Sequence, residues 1–393
     1  MRVFSAVVLV ALLAATAGAQ TIPPVGREAT LDVGTWNIRQ FGDPAPSTPP
    51  DREQARSAVA VLSQSGVDVW AVQEITTRAA WQGLLGRLRA AGYAGVLGPE
   101  PTSGDFKVGF IYDSTAVTVL GARQPLPITG SFGGRQPFEL HAEVTAGGRT
   151  QAVRLVAVHA KNGSGENDHS NRTQGALKLK AYADARAAEG EAVILLGDFN
   201  DYLARGRWRG ATASPYAPFV DDAGYVAATL ALEEAGTPTL CGPDPGCPGG
   251  LTIDHIVYTA NVQAGLVEVG RYEDAIDAIP DFFAAASDHA PVVARLQLGG
   301  AVSSRGGTPE RVTLLAPAPN PSRGDVRVRF SLPAPATVRA EVFDARGRTV
   351  FVTTGAFAAG EHALPVRPLA PGAYHVRLRA GGAVRTATFG VAR

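Results

Sequence analysis

Short apolar runs that end abruptly in Asn, Asp, Glu or His recur along most of this chain. Arg27 to Ile38 has the alternation of an opening strand with Asn37 at its end, and Val67 to Val72 is a short apolar strand that hands over to Gln73-Glu74. A Pro-rich loop, Asp43 to Pro50, lies between them. Helical spacing predicts helices over Asp51 to Gln64, with Asp51 as N-cap, over Ala79 to Ala91, and over Gln174 to Ala188. Lys107 to Tyr112 and Val117 to Leu120 form a strand pair turning at Asp113-Ser114. Phe138 to Val144 and Val153 to His159 flank a Gly-Gly turn, and Ala192 to Leu196 is a buried strand delivering Asp198. Ile253 to Thr259 and Pro291 to Leu298 close the series. Strands often neighbour one another instead of alternating with helices, which predicts an α+β fold of two packed sheets with helices outside.

The pattern changes at Gly299 to Arg311, a Gly/Ser linker. Beyond it come short alternating strands: Val326 to Phe330, Thr337 to Phe343, Arg348 to Thr353, Ala373 to Leu378 and Thr386 to Val391. Pro and Gly turns separate them at short intervals, the pattern of a small Ig-like β-sandwich over 312–393.

Composition allows two domains: 393 residues, 45% of them hydrophobic, are enough for a large core and a smaller one. Residues 1–19 read as a secretory signal, with Arg2, an apolar run from Val7 to Ala15 and a small-residue cleavage site at Ala17-Gly18-Ala19. That run is too short to span a bilayer comfortably, and no other stretch is long and apolar enough. Export makes Cys241 and Cys247, close together in a Gly/Pro loop, most simply a disulfide that staples a turn.

Formal charge is zero overall but uneven. Gln20 to Gly300 carries 22 Lys+Arg against 31 Asp+Glu, a net −9, while Ala301 to Arg393 carries 13 against 5, a net +8. The acidic first part argues against tight, non-specific grip on a polyanion by charge alone.

Four segments hold the candidate chemistry: Thr35-Trp36-Asn37-Ile38, Val72-Gln73-Glu74-Ile75, Leu196-Gly197-Asp198-Phe199-Asn200-Asp201 and Ser287-Asp288-His289-Ala290-Pro291. They offer hard oxygen ligands, a general base and a histidine. Asp198 and Asn200 flank Phe199, so alternation sends both polar side chains to one side and Phe199 to the core. Order and wording resemble the endonuclease/exonuclease/phosphatase superfamily, whose fold is like that of deoxyribonuclease I, over Glu28 to Leu298. The resemblance implies a four-layer α/β/β/α sandwich over 27–298 and metal-dependent cleavage of phosphate esters.

The same resemblance implies the roles. Glu74 would bind Mg²⁺, with Mn²⁺ as a substitute, and Asn37 would lie beside it; Asp288 would add a second metal contact. Asp198 would position and deprotonate the attacking water, and Asn200 would hold the phosphate. His289 would contact the scissile phosphate, oriented by Asp254, while His255 would be structural. His159 takes the place of a phosphate contact or leaving-group acid, with Asn162 following it as a substrate contact. Relatives give that histidine a glutamate partner; this sequence has no clear counterpart, and Asp105 is the nearest candidate. Arg172 and Arg135 are either phosphate contacts or surface charges. Arg205-Gly206-Arg207-Trp208-Arg209 either stacks a base and holds a backbone or is a solvated loop.

The resulting expectation is a secreted, monomeric, Mg²⁺-dependent phosphoesterase, an endonuclease acting on DNA or RNA. The same catalytic set also serves sphingomyelinases and sugar or inositol phosphatases. An adhesive protein with an inert nuclease-like domain is the reading from another class. In the tail, the Asn320-Pro321 phrase, Asp344-Ala345-Arg346-Gly347-Arg348 and Pro371-Gly372-Ala373-Tyr374 resemble the C-terminal sorting domain of type IX secretion substrates. That implies the type IX machinery as a partner and a secreted or cell-surface location. A generic adhesive module would use the same turn residues.

Overall fold

A computed structural model describes residues 21–43, 51–104, 106–127, 130–242, 247–262, 264–298, 312–314, 326–357, 360–366 and 369–392. The signal segment, residues 44–50 of the Pro-rich loop, Asp105, the 299–311 linker and the Asn320-Pro321 phrase lie outside them. The chain divides into two compact units, Met1–Gly300 and Ala301–Arg393.

In chain order the first unit runs β1 (Leu31–Phe41), α1 (Asp51–Gln64), β2 (Val69–Ile75), α2 (Arg78–Leu88), β3 (Tyr93–Leu97), β4 (Lys107–Asp113), β5 (Val117–Arg123), β6 (Phe138–Ala146), β7 (Arg149–His159), α3 (Glu166–Ala188) and β8 (Ala192–Asp198). Then come α4 (Ala217–Val220), β9 (Tyr225–Ala227), α5 (Leu230–Glu234), β10 (Asp254–Thr259), β11 (Ala264–Arg271), α6 (Glu273–Ala278), α7 (Phe282–Ala285) and β12 (Val292–Leu298). Two six-stranded sheets result, in the orders β11-β12-β1-β2-β4-β3 and β5-β6-β7-β8-β10-β9.

Alternation along the strands builds the layers. Val33, Val69, Ala71, Leu155, Ala157, Ile194 and Leu196 face inward and fuse the two sheets into one core. Trp36, Trp70 and Val72 face outward onto α1, α2 and the α6–α7 segment. Val156, Val158, Val193 and Leu195 face outward onto α3. The architecture is thus the α/β/β/α sandwich that the resemblance implied.

Topology decides where chemistry can sit. Each sheet has one parallel pair at its heart, β1 with β2 and β7 with β8, and its other pairings are antiparallel. The C-terminal ends of both parallel pairs lie at one end of the sandwich. β10 and β12 run antiparallel to β8 and β1, so they begin where those strands finish. Strand ends and strand beginnings therefore converge on one cleft. Gly197 allows the approach: a Cβ there would lie 1.9 Å from the Val158 carbonyl oxygen.

The second unit contains β13 (Thr313–Leu314), β14 (Val326–Leu332), β15 (Ala336–Asp344), β16 (Thr349–Phe357), β17 (Gly360–Val366), β18 (Gly372–Ala380) and β19 (Ala383–Val391). They form the sheets β13-β14-β17 and β16-β15-β18-β19 around Val328, Phe330, Val342, Val376 and Leu378. The Asp-x-x-Gly-Arg phrase is a tight turn: Asp344 Oδ1 accepts from the backbone N of Arg346 and Arg348, each at 2.9 Å, and Gly347 takes a φ of 77°.

Several elements differ from the sequence expectation. β1 begins four residues later and ends three later than Arg27 to Ile38. α3 begins at Glu166, eight residues before the expected start at Gln174. β3, β9, β11, β13, β17 and the short helices α4 to α7 were not anticipated. They are short or half-exposed, so their apolar pattern is too brief to stand out.

Candidate active site

The bend after β1 is the first piece. Arg39 and Gln40 adopt φ values of 27° and 51°, a strained turn for side-chain-bearing residues. Buried Gln54 of α1 secures it, its Nε2 donating to the carbonyls of Ile38 (3.0 Å) and Arg39 (2.7 Å). The bend sends Gln40 N to Glu74 Oε2 at 2.9 Å. Glu74 itself has a left-handed φ of 63° at the end of β2. Such strain persists only where surrounding structure enforces it, and it clusters at functional sites.

Asn37 stands between two carboxylates. Its Nδ2 donates to Glu74 Oε1 at 3.0 Å and to Asp198 Oδ2 at 3.1 Å, while its Oδ1 accepts from Arg39 N at 3.0 Å. Asp198 is 2% exposed. Burial, and then the nearby Asp254 and Glu74 charges, push its carboxyl up to about 7 against the pull of His289.

Asn200 joins Asp198 as the sequence suggested, but through a left-handed φ of 53° in place of an extended backbone. Its N donates to Asp198 Oδ1 at 2.9 Å and its Nδ2 to Asp198 Oδ2 at 3.1 Å. Phe199 turns the other way and packs on Tyr216 and His255, with ring centroids 4.8 and 5.5 Å away.

His289 precedes β12. Its Nδ1 lies 2.8 Å from Asp254 Oδ2, and its Nε2 lies 4.0 Å from Asp198 Oδ2. Burial opposes its charge, but Asp254, Asp198 and Asp288 outweigh burial and hold the imidazole up at about 10. Asp254 Oδ2 also accepts from Thr239 Oγ1 at 2.6 Å. Ser287 completes the frame, donating to Asn37 O at 2.6 Å and accepting from His289 N at 3.1 Å. The Cys241–Cys247 disulfide is formed, with Cα atoms 4.9 Å apart, and Cys241 N donates to Asp288 O at 2.7 Å. The staple therefore anchors the segment that carries His289.

His159 ends β7, its Nε2 lying 3.5 Å from Asp198 Oδ2 and 3.7 Å from Glu74 Oε1. Phe106 stacks on its ring and its buried Nδ1 has no partner among the described residues. Burial, then Arg135 and His289, hold it well below its ordinary value, so it is neutral near pH 7. Arg135 lies close enough to feel Asp198 and Glu74, and its Nη2 donates to Ala160 O at 2.7 Å.

Three expected contacts, Arg172, Asn162 and Asp288, have partners within the protein. Arg172 is 1% exposed and cannot reach a substrate: its Nε donates to Asp201 Oδ2 at 2.8 Å, and its Nη1 to the carbonyls of Lys161 and Gly163. It braces the loop before α3 because a buried guanidinium needs a carboxylate and carbonyl acceptors. Asn162 is exposed, and its Oδ1 accepts from Gly163 N at 2.6 Å, which keeps the side chain on its own loop. Asp288 Oδ2 pairs with Arg39 Nε at 3.7 Å. Trp208 packs on His169 and Arg205 lies over Tyr202, so that segment's aromatics are engaged internally. His255 is structural as expected, bonded through Nε2 to Asp201 O at 3.0 Å and through Nδ1 to Thr229 Oγ1 at 3.0 Å. Sequence reasoning missed Gln54, Thr239, Phe106 and Ser287 as supports; of these only Ser287 stood in a recognised phrase.

A four-layer sandwich with Asn, Glu, Asp, Asn, Asp and His gathered at its strand ends defines a class of phosphate-ester hydrolases. The chain belongs to the endonuclease/exonuclease/phosphatase family, whose sequence profile matches residues 34–289. Residues 318–391 match the secretion system C-terminal sorting domain of type IX substrates. No curated protein matches the chain.

Among solved structures, the chain is similar to the 3′ phosphatase NExo from Neisseria bound to a product DNA hairpin. The identity is 18%, with 68% of this chain and 99% of that one covered and a TM-score of 0.51. It is also similar to an AP endonuclease from Archaeoglobus fulgidus, at 14% identity, 68% and 100% coverage and a TM-score of 0.50. An endonuclease/exonuclease/phosphatase from Beutenbergia cavernae aligns at 19% identity over 92% of this chain and 100% of its own, with a TM-score of 0.49. At these identities the likeness is one of fold.

Proposed function

We propose that this chain is a secreted, divalent-metal-dependent phosphodiesterase, an endonuclease acting on DNA or RNA. The observation that carries the reading is the convergence on Asp198. One carboxylate oxygen faces Asn37, Asn200, His159 and His289, and His289 is backed by Asp254.

The donor set suits a hard cation. Glu74 and Asp198 share one amide between two carboxylates, an excess of negative charge that a divalent ion offsets. Among the described residues no ready cage of three or more His, Cys, Asp or Glu exists. Magnesium takes one or two carboxylates and fills its shell with water and phosphate oxygens. Glu74 would hold it. Asn37 presents Nδ2 to the carboxylates, so it would ligate only after turning its amide away from Arg39 N. When bound, the ion supplies charge neutralisation at a phosphoryl oxygen.

The protein's own groups do the rest. Asp198, with its carboxyl raised to about 7, is matched to taking a proton from the attacking water near neutral pH. His289, held as imidazolium by Asp254, faces the position of the phosphate and stabilises the charge that builds on it. Arg135 provides a further donor at the same place, and Asn200 Nδ2, whose two N–H bonds go to Asp198 and Ala160, would turn one of them to the phosphate when substrate binds. Neutral His159, whose Nδ1 has no partner among the described residues, serves as a phosphate contact.

The acidic balance of this domain limits long-range attraction of a polyanion; Arg135 and Arg207 supply local positive charge at the cleft. DNA is bound by the Neisseria relative, which supports the nucleic-acid choice by fold alone. The sorting tail supports a location at the cell surface or outside. Among the described residues no helix is long and apolar enough to cross a membrane.

The test is a substrate panel: plasmid DNA, RNA, sphingomyelin and phosphomonoesters, each with Mg²⁺ and with EDTA. Nicking of plasmid or cleavage of RNA that EDTA abolishes is expected. Hydrolysis of sphingomyelin or monoesters alone would move the chain to the phospholipase or phosphatase branch, and full activity in chelator would refute the metal.

A further inference from the structure

We propose that Arg207 is a positioning residue that fixes the amide of Asn200 in its working orientation without itself touching substrate. The inference rests on the reading of Asn200 as a phosphate ligand given above. An asparagine side chain has a donor end and an acceptor end of nearly equal shape, so only its partners decide which way it faces. The donor end of Asn200 is spoken for by two acceptors, Asp198 Oδ2 at 3.1 Å and Ala160 O at 3.2 Å. The acceptor end is held by Arg207, whose Nη1 donates to Asn200 Oδ1 at 3.3 Å.

The same nitrogen also donates to the Asn200 backbone carbonyl at 3.0 Å. Asn200 sits at a φ of 53°, in the left-handed region that residues with a Cβ seldom enter and asparagine enters more readily than most. One guanidinium nitrogen thus pins both the strained backbone and the side chain that depends on it.

Arg207 is aimed in its turn. Its N donates to Asp201 Oδ1 at 2.6 Å, and Asp201 Oδ2 accepts from Arg172 Nε at 2.8 Å. The loop after β8 is therefore folded back onto its own motif. The middle arginine of Arg205-Gly206-Arg207-Trp208-Arg209 turns inward onto Asn200, neither the nucleic-acid contact nor the solvated loop residue that the sequence left open. Asp198 and Ala160 disfavour a half-turn, which would set Oδ1 against the Asp198 carboxylate, but without Arg207 the Oδ1 end and the Asn200 carbonyl lose the donor that clamps them, and the side chain swings out of the site.

The experiment compares wild type, Arg207→Ala, Arg207→Lys, Asn200→Ala and the Arg207→Ala/Asn200→Ala pair, with bis(p-nitrophenyl) phosphate and Mn²⁺ as the probe. Arg207→Ala is expected to lower kcat roughly 10- to 100-fold, the scale of a misplaced reacting group. KM should stay within about 2-fold, and Arg207→Lys should recover part of kcat. In the Asn200→Ala background, Arg207→Ala should change kcat by less than about 2-fold, because contacts that act as a unit are not additive. An equal loss in both backgrounds, or a loss confined to KM, would overturn the inference and make Arg207 a direct substrate contact. Near-normal turnover of Asn200→Ala alone would instead overturn the assignment of Asn200, so the two failures are separable. A crystal structure of Arg207→Ala gives an answer independent of turnover. Asn200 should have left Asp198 and Ala160, and an unmoved Asn200 refutes the proposal.

Discussion

Replacing Asp68 with asparagine should stabilise this protein above neutral pH and not below pH 4. Asp68 precedes β2, Asp32 lies in β1 and Asp113 ends β4, at the opposite end of the sheet from the cleft. Asp68 Oδ2 accepts from Asp32 N at 2.7 Å. Burial, followed by the charges of Asp32 and Asp113, pushes the Asp68 carboxyl up from 3.8 to about 7; burial likewise pushes Asp32 up to about 6. A folded-state value above the unfolded one means no penalty below about pH 4, and stability lost as pH rises through about 7. The Asp68 shift corresponds to roughly 4 kcal/mol at pH 8. The substituted amide oxygen can still accept from Asp32 N, but the new N–H pair needs acceptors, which takes back on the order of 1–2 kcal/mol. The variant should therefore lie level with the wild type or about 1 kcal/mol below it at pH 4, and about 2 kcal/mol above it at pH 8, equivalent to roughly 3–5 °C in Tm for a domain of this size. Thermal unfolding of both proteins at pH 4 to 8, with EDTA throughout, measures the difference while the other titrating groups cancel. A Tm difference that stays flat across that range, or that turns against the variant at pH 8, would refute the reasoning.

Asp198→Ala and His289→Ala should each lower turnover by about 10² or more with the fold intact by circular dichroism, since each removes a base or a charge-stabilising group; near-normal turnover in either sinks that assignment. A chain ending at Leu298 should fold and hydrolyse the same substrates, because the candidate catalytic residues all lie upstream. In the native host it should remain in the periplasm, and release as efficient as that of the full chain would make the tail a spacer and not an address.

The sequence alone determined where polar residues border the buried strands. Apolar runs that stop at Asn37, Glu74 and Asp198, and the one that begins after His289, are legible because a strand buried on both faces leaves its nearest polar residue at the rim. The same rule separated Phe199 from Asp198 and Asn200. Elements with no such contrast were not legible. The first two turns of α3, Glu166 to Thr173, are almost wholly polar, and they are helical because buried Arg172 ties them to Asp201 and to the loop before them. β3 and β11 are short or half-exposed, so tertiary pairing with β4 and β12 supplies what periodicity lacks.

The arginines show the remaining limit. Arg135, Arg172 and Arg207 were equivalent in the sequence as positive charges. Packing placed Arg135 at the cleft, buried Arg172 as a brace and turned Arg207 onto Asn200. Charge is a property of the residue, whereas direction and desolvation belong to the neighbours that the fold brings from far along the chain.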